Sequence, residues 1–256
     1  MKRYLWIKPM IILSIAALLG GCAIGRTTNY HTGTVDYNTG FTKDVYFAVA
    51  FQDVRPYVLS GNKKNTFVGL MRSVTGIPYP INTESGKPLA DDFGSIVTNS
   101  LRSKGLNAEY LKFQFRKDAD DFVKENSKEG MKILVFSLHE WKTDLHFTGS
   151  IHYDVSLAVY DSIGNQIAST RQEGHDPMGP NERVGRRNLG EANVDIIGGL
   201  LKAPKIQAAI LSDETVLSAE KKVESKPQLN EKCSVKQVLK MKDAGLSDNQ
   251  IEAACE

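Results

Sequence analysis

Hydrophobic positions change period several times along the chain, and each change marks an element. Across residues 44–52, Val45, Phe47, Val49 and Phe51 alternate with Tyr46, Ala48 and Ala50, which predicts a buried strand. Pro56 cannot extend a central strand, so the strand ends before it. Leu89, Phe93, Ile96, Val97 and Leu101 recur at helical spacing, and Gly105 follows where a left-handed cap is wanted, so residues 89–104 read as a helix. Asp91 and Asp92 suit the positive end of its dipole. A strand at 106–113 and a short polar helix at 118–129, ended by Gly130, come next. Residues 131–138 form a strongly hydrophobic strand that continues to Asp144. Residues 150–161 place Ile151, Tyr153, Val155, Leu157 and Val159 on one face, 162–165 turn, and 166–173 return. The centre is therefore three consecutive antiparallel strands. A Gly/Pro-rich loop at 174–186 leads to a second long helix at 188–211, which Gly198-Gly199 and Pro204 can kink.

Between the first strand and the first helix lies a long connection, 55–87, rich in Gly and Pro. Connections of this length are uncommon in compact domains unless they are functional. Phe67, Leu70, Met71, Val74, Ile77 and Tyr79 are too apolar for a solvated loop. Two readings stand: they pack over the sheet edge as a short hairpin, or they dock a partner. For the second, the candidate residues are Arg55, Lys63, Lys64, Met71, Arg72 and Tyr79.

Ahead of the first strand, the pattern is of another kind. Lys2, Arg3 and Lys8 precede an apolar run from Met10 to Leu19, and Gly20 and Gly21 then lead to Cys22. Charge, apolar core and small-residue site in that order are a secretory signal, and the run is too short to span a membrane. Leu19-Gly20-Gly21-Cys22 resembles the bacterial lipobox. The resemblance implies cleavage before Cys22, a diacylglycerol on its sulfur, and acylation of the new amine. Ala23 is not the Asp that retains such proteins in the inner membrane, so the resemblance implies the outer membrane, facing the periplasm. Residues 1–21 are thus the signal, and the polar stretch 22–43 reads as a flexible tether. At the other end, 212–232 is a charged linker, and 233–256 reads as two short helices between Cys233 and Cys255. With Cys22 lipidated, those two cysteines form an even pair in an oxidising compartment, which predicts a disulfide. Such a staple would hold a hairpin too small to own a core. A metal site is the rival reading of the pair, made weak by the lack of a nearby His.

Composition narrows the function classes. The chain has 256 residues, 41% hydrophobic and 24% charged, as a globular domain has. Its formal charge of +2 becomes −1 once the three positive residues of the signal are removed, so no nucleic-acid footprint is expected. His139, His146 and His152 fall in the strand region with no Cys or paired carboxylate at metal-ligand spacing, and read as surface or edge histidines. Glu140 and Asp144 read as the wet face of a strand. Ser150 and Ser156 lack a nucleophile elbow, and no phosphate-binding glycine loop is present. Arg183, Arg186 and Arg187 form a small basic cluster that reads as a solvated loop.

The element order, with the phrases LVFSLHEWKTDL (134–145) and SIHYDVSLAVYDSIGNQIAS (150–169), resembles the YajG-type bacterial lipoproteins. More loosely it is similar to periplasmic lipoprotein domains that assist envelope machines. The likeness spans roughly 44–211. It implies an α/β domain of α+β two-layer kind: a mixed, mostly antiparallel sheet packed by two main helices, with the small helical hairpin as an addition. It brings no catalytic residues and no cofactor. The expected function is that of a lipid-anchored, non-enzymatic accessory protein, held in the membrane through Cys22 and binding another envelope protein. Two other readings stay open: a small-ligand binder or enzyme walled by loops 55–87 and 174–186, and a structural subunit that oligomerises through its sheet edge or tail.

Overall fold

The computed structural model describes residues 26–37, 45–147, 149–178 and 186–211. The signal, Cys22, the linker and the Cys233–Cys255 hairpin lie outside the described residues. The described strands are β1 (Arg26–Thr28), β2 (Tyr46–Asp53), β3 (Phe67–Arg72), β4 (Pro78–Thr83), β5 (Asn107–Tyr110), β6 (Met131–Leu145), β7 (Gly149–Tyr160) and β8 (Gln166–Met178). The described helices are α1 (Pro56–Leu59), α2 (Leu89–Ser103), α3 (Ala119–Asn126), α4 (Arg186–Lys202) and α5 (Pro204–Leu211). They form an α+β two-layer fold around one mixed sheet. None of these helices is long and apolar enough to cross a membrane.

Strand β6 organises the sheet. Its whole length pairs antiparallel with β7, which pairs antiparallel with β8. Its other edge is shared. The first half, Met131 to Leu138, pairs parallel with β2, and β2 pairs parallel with β5. The last residues, Thr143 to Leu145, pair parallel with β3, which continues through β4 to β1. The sheet therefore forks along one edge of β6, where β6 also bulges between Leu138 and Glu140.

Period-two alternation sorts the side chains. Phe47, Val49 and Phe51 of β2, Leu134, Phe136 and Leu138 of β6, and Val155, Leu157 and Val159 of β7 build the main core with α2, α4 and α5. Phe51 stacks on Phe136 at 4.3 Å, and Trp141 meets Phe93 edge-on at 4.9 Å. The alternate positions, Ala48, Ala50, Ile133 and Val135, take Phe122 and Val123 of α3 on the other face. Asp118 caps α3 by accepting from the amides of Asp120 and Asp121. Lys132 is buried at the end of α5, where its ammonium donates to the carbonyls of Ala209 (2.8 Å) and Ile210 (2.9 Å). A cation there satisfies carbonyls that a helix end otherwise leaves bare.

Several expectations are corrected. The tether is partly structural: β1 joins the sheet, and Tyr30, Val35 and Tyr37 are buried in the main core. The Val35 amide donates to Ser100 Oγ at 2.8 Å, which locks the segment against α2. The 55–87 connection is not structureless; it holds α1 and the β3–β4 hairpin, so the edge-packing reading describes its core residues. The strand expected at 106–113 stops at Tyr110, and residues 111–117 form a loop. The long second helix breaks at Ala203, where Pro204 starts α5. Gly198 is not a hinge: a Cβ there would stand 2.6 Å from the Asp36 carbonyl, so the glycine allows the 33–36 segment to lie against α4. Strand β8 also runs on to Met178, through the start of the loop expected at 174–186.

Candidate functional site

Parallel strand β5 stops at Tyr110, opposite Val49, while β2 runs on to Asp53, and α2 begins beside them, so the fold leaves a crevice at their carboxyl ends, where open α/β sheets commonly bind ligands. The crevice has a volume of about 490 Å³. Its floor is Phe51, Gln52 and Val54; Leu59 and Asn65 come from the 55–87 connection; the opposite wall is the loop Lys112 to Lys117. Among the described residues of the 174–186 loop none lines this crevice, which is built from the 55–87 connection, the ends of β2 and α2, and the 112–117 loop, of which only Lys112 and Phe113 fall in the strand expected at 106–113.

The 111–117 loop is firmly held. The Leu111 amide donates to the Val49 carbonyl at 2.8 Å, and Phe113 stacks on Phe122 at 4.2 Å. Lys117 pairs with Glu125. Between these anchors Phe115 is 58% exposed, and the Arg116 guanidinium sits 5.1 Å from its ring centroid. Arg116 has φ 63, the one positive φ outside glycine among the described residues. That conformation costs on the order of 1 kcal/mol. Its guanidinium donates to the Leu59 carbonyl at 2.6 Å, which ties the loop to the end of α1.

The charged groups of the crevice already have partners. Asp91 accepts from Tyr110 Oη at 2.7 Å and lies 3.4 Å from Lys112. Burial first, and the Asp91 carboxylate second, push the Tyr110 phenol well above its usual range. A Cβ on Gly94 would fall 2.1 Å from the Tyr110 ring, so only glycine lets this tyrosine lie on α2. Asp53 is bound to Arg55. Among the described residues of the crevice, no nucleophile stands against a base.

Arg55 itself is not a surface residue. It is fully buried at the fork of the sheet, where the edge of β6 passes from its pairing with β2 to its pairing with β3. Its Nε and Nη2 donate to the two oxygens of Asp53 at 2.8 and 2.6 Å. Nη1 donates to the carbonyls of Phe67 (2.7 Å) and Trp141 (3.2 Å), and Nη2 also reaches the Asn65 carbonyl (3.3 Å). Burial alone would lower its pKa, but the Asp53 contact outweighs this and holds it above the usual value. The other sequence candidates divide into two places. Lys63 and Lys64 are exposed between α1 and β3, beside the crevice. Met71, Arg72 and Tyr79 lie on the β3–β4 hairpin, where Arg72 pairs with Asp144 at 2.7 Å. Phe115 and Arg116 carried no sequence signal: the expected strand ends at Phe113, and nothing local marks the two residues beyond it.

On the outer face of β6–β8 the histidines have ordinary partners. His139 Nε2 is 2.9 Å from Ser156 Oγ, and burial lowers its pKa. His152 stacks on His175 at 3.8 Å across β7 and β8. Burial, and then the His175 charge, lower the His152 pKa. Among the described residues no three His, Cys, Asp or Glu side chains are grouped to hold a metal. Arg183 lies outside the described residues, and Arg186 and Arg187 begin α4.

No protein-family profile matches this sequence, and no curated protein does. Solved structures similar to it include a DUF330 protein from Xanthomonas campestris, 10% identical, covering 77% of this chain and 98% of that one with a TM-score of 0.39. The PelC dodecamer from Paraburkholderia phytofirmans is 11% identical over 71% of this chain and 96% of its own, with a TM-score of 0.34. Lipoprotein GNA1162 from Neisseria meningitidis is 10% identical over 60% of this chain and 96% of its own, with a TM-score of 0.27.

Proposed function

We propose that this protein is a lipid-anchored, non-enzymatic accessory protein of the bacterial cell envelope, of the YajG-like kind, tethered through Cys22 to the outer membrane on its periplasmic side. It binds another envelope protein at the mouth of the crevice. The observation that carries the binding site is the pair Phe115 and Arg116: an exposed aromatic ring under a guanidinium, on a loop whose anchors hold it in a costly conformation. Aromatic residues and Arg are the side chains that dominate protein interfaces, and preorganisation lowers the cost of docking. Lys63 and Lys64 extend the same surface. The test is photocrosslinking in intact cells from position 115 of the full-length protein. One envelope protein should be captured, and F115A and R116A should abolish its co-purification while leaving the melting temperature of the fold within a few degrees. A chain that is captured equally from Ile163, 76% exposed in the β7–β8 turn, would refute the assignment.

A further inference from the structure

The strand registers gather two apolar turns at one end of the sheet. Strands β3 and β6 run parallel, with Met71 opposite Leu145, so their carboxyl ends point the same way. The β3–β4 turn and the β6–β7 turn are therefore neighbours at one end of the sheet. Each exposes large apolar side chains: Val74 is 83% and Ile77 55% exposed in the first, Phe147 57% in the second. The first turn is a fixed shape. The Gly76 amide donates to the Ser73 carbonyl at 2.8 Å and the Ser73 amide to the Ile77 carbonyl at 2.9 Å. Gly76 supplies the left-handed φ of 85 that this closure needs. In the second turn, His146 packs on the Phe147 ring at 4.1 Å.

The chain enters the fold at this same end. Strand β1 runs parallel to β4, with Arg26 opposite Ile81. Moving back from Ile81, β4 reaches Ile77 in four residues. Moving back from Arg26, the chain reaches Cys22 in four residues, a span of at most about 14 Å. Cys22 is thus tied on a short leash to the end that carries Val74, Ile77 and Phe147.

We infer that these two hairpin turns are a membrane-contacting foot: Val74, Ile77 and Phe147 insert into the interfacial layer of the bilayer that holds the Cys22 lipid. This rests on the lipid-anchored reading above. The occupant is lipid because the leash is too short to let that end move far from an acylated Cys22. Apolar side chains at protruding turns bury to a depth of about 5–10 Å, at the boundary of headgroup and acyl chain. The foot also fixes orientation. Strand β7 is 12 residues long, so the β7–β8 turn with Ile163 stands roughly 40 Å from the foot at about 3.3 Å per residue.

The experiment uses the full mature lipoprotein, purified with its lipid and reconstituted into vesicles of phosphatidylethanolamine and phosphatidylglycerol that carry a spin-labelled acyl chain. A fluorescent amino acid replaces Val74, Phe147 or Ile163, one at a time. Emission should be lost at 74 and at 147 and kept at 163. Mass spectrometry of the same preparation reads the state of Cys22. An acylated Cys22 with full emission at 74 and 147 overturns the foot and leaves the anchor standing. Crosslinking of position 74 to a second copy or to a protein, in place of quenching, overturns it as well. An unmodified Cys22 overturns the anchor and the foot together.

Discussion

Arg55 gives the sharpest quantitative test, because two readings of it make opposite demands. As a docking residue, its loss would weaken binding and spare the fold. The structure makes it the plug of the forked sheet, its side chain 0% and that of Asp53 7% exposed. R55M keeps the bulk and removes the charge. It strands the Asp53 carboxylate and strips donors from the carbonyls of Phe67, Trp141 and Asn65. Breaking a buried ion pair by removing one partner costs about 3–5 kcal/mol, against a total stability of about 5–15 kcal/mol. At about 2–4 °C per kcal/mol for a domain of this size, the melting temperature should fall by roughly 6–20 °C. Trp141 is the convenient probe. The chain has two tryptophans, Trp6 and Trp141, so a chain cleaved before Cys22, as proposed, carries only Trp141, whose carbonyl accepts from Arg55. Urea titrations followed by its fluorescence give the difference directly. The double variant D53L/R55M, which removes both charges, should recover a large part of the loss. A change under about 1 kcal/mol in R55M, the range of an exposed pair, would refute the buried plug.

Other expectations are briefer. G94A drives a methyl into the Tyr110 ring and should cost about 1–3 kcal/mol in a chemical melt, with Y110A relieving part of it in the double variant. His152 has a lowered pKa in the fold, so the unfolded chain binds its proton first; stability is full above its unfolded value of 6.5 and falls as pH drops below it. In H152Q the slope of stability against pH between about 6.5 and 5 should therefore be shallower, measured by urea titrations at several pH values. Cys233 and Cys255 should appear as one disulfide-linked peptide in a non-reducing digest of periplasm-derived protein. Free thiols at both positions would remove the staple.

How much of this was legible in the sequence depends on how local each signal is. Strand β6 and helix α2 are written in contiguous runs, and their periodicity needs no knowledge of the partner. The β3–β4 hairpin was harder. Its turn residues, Ser73 to Ile77, are clear, but Pro78 and Pro80 argue against strand, and Pro is tolerated here in a short strand near the sheet's edge, with only β1 beyond it. The 26–37 segment looked like a tether because Thr, Asn and Gly outnumber its apolar residues. Only three of those, Tyr30, Val35 and Tyr37, make the contacts that fix it. Arg55 was misread for a related reason. A charge next to Pro in a Gly-rich connection suggests solvent, and its buried partners, Phe67 and Trp141, are 12 and 86 residues away. Phe115 and Arg116 lie just past the alternating run that ends at Phe113, and the tie from Arg116 to the Leu59 carbonyl, 57 residues away, has no local signature.

The parallel pairings carry the functional argument, and no sequence pattern encodes them. Antiparallel hairpins place turns at both ends of a sheet indifferently. Here β3 lies parallel to β6, and β1 parallel to β4, so the entry of the chain and two apolar turns gather at one end. The forked edge of β6 does the rest. Because β2 stops at Asp53, opposite Leu138, and β5 stops sooner, at Tyr110 opposite Val49, the crevice opens to the side, level with the bulge near Leu138 and some seven residues of β6 short of the end at Leu145. At about 3.3 Å per residue that is roughly 20 Å. A protein anchored at the foot would thus hold Phe115 and Arg116 about 20 Å clear of the lipid, within reach of a neighbouring envelope protein rather than buried against the bilayer. A foot and a docking loop on the same end would compete for one surface; the fork in the sheet separates them. Shortening β6 and β7 together by one cross-strand pair, for example by deleting Thr143 and Ile151, would swap the faces of the residues beyond the deletion and displace the foot without touching the crevice. Partner capture from position 115 should then survive while quenching at position 147 is lost, and a variant that loses both would show that foot and crevice are not the independent units described.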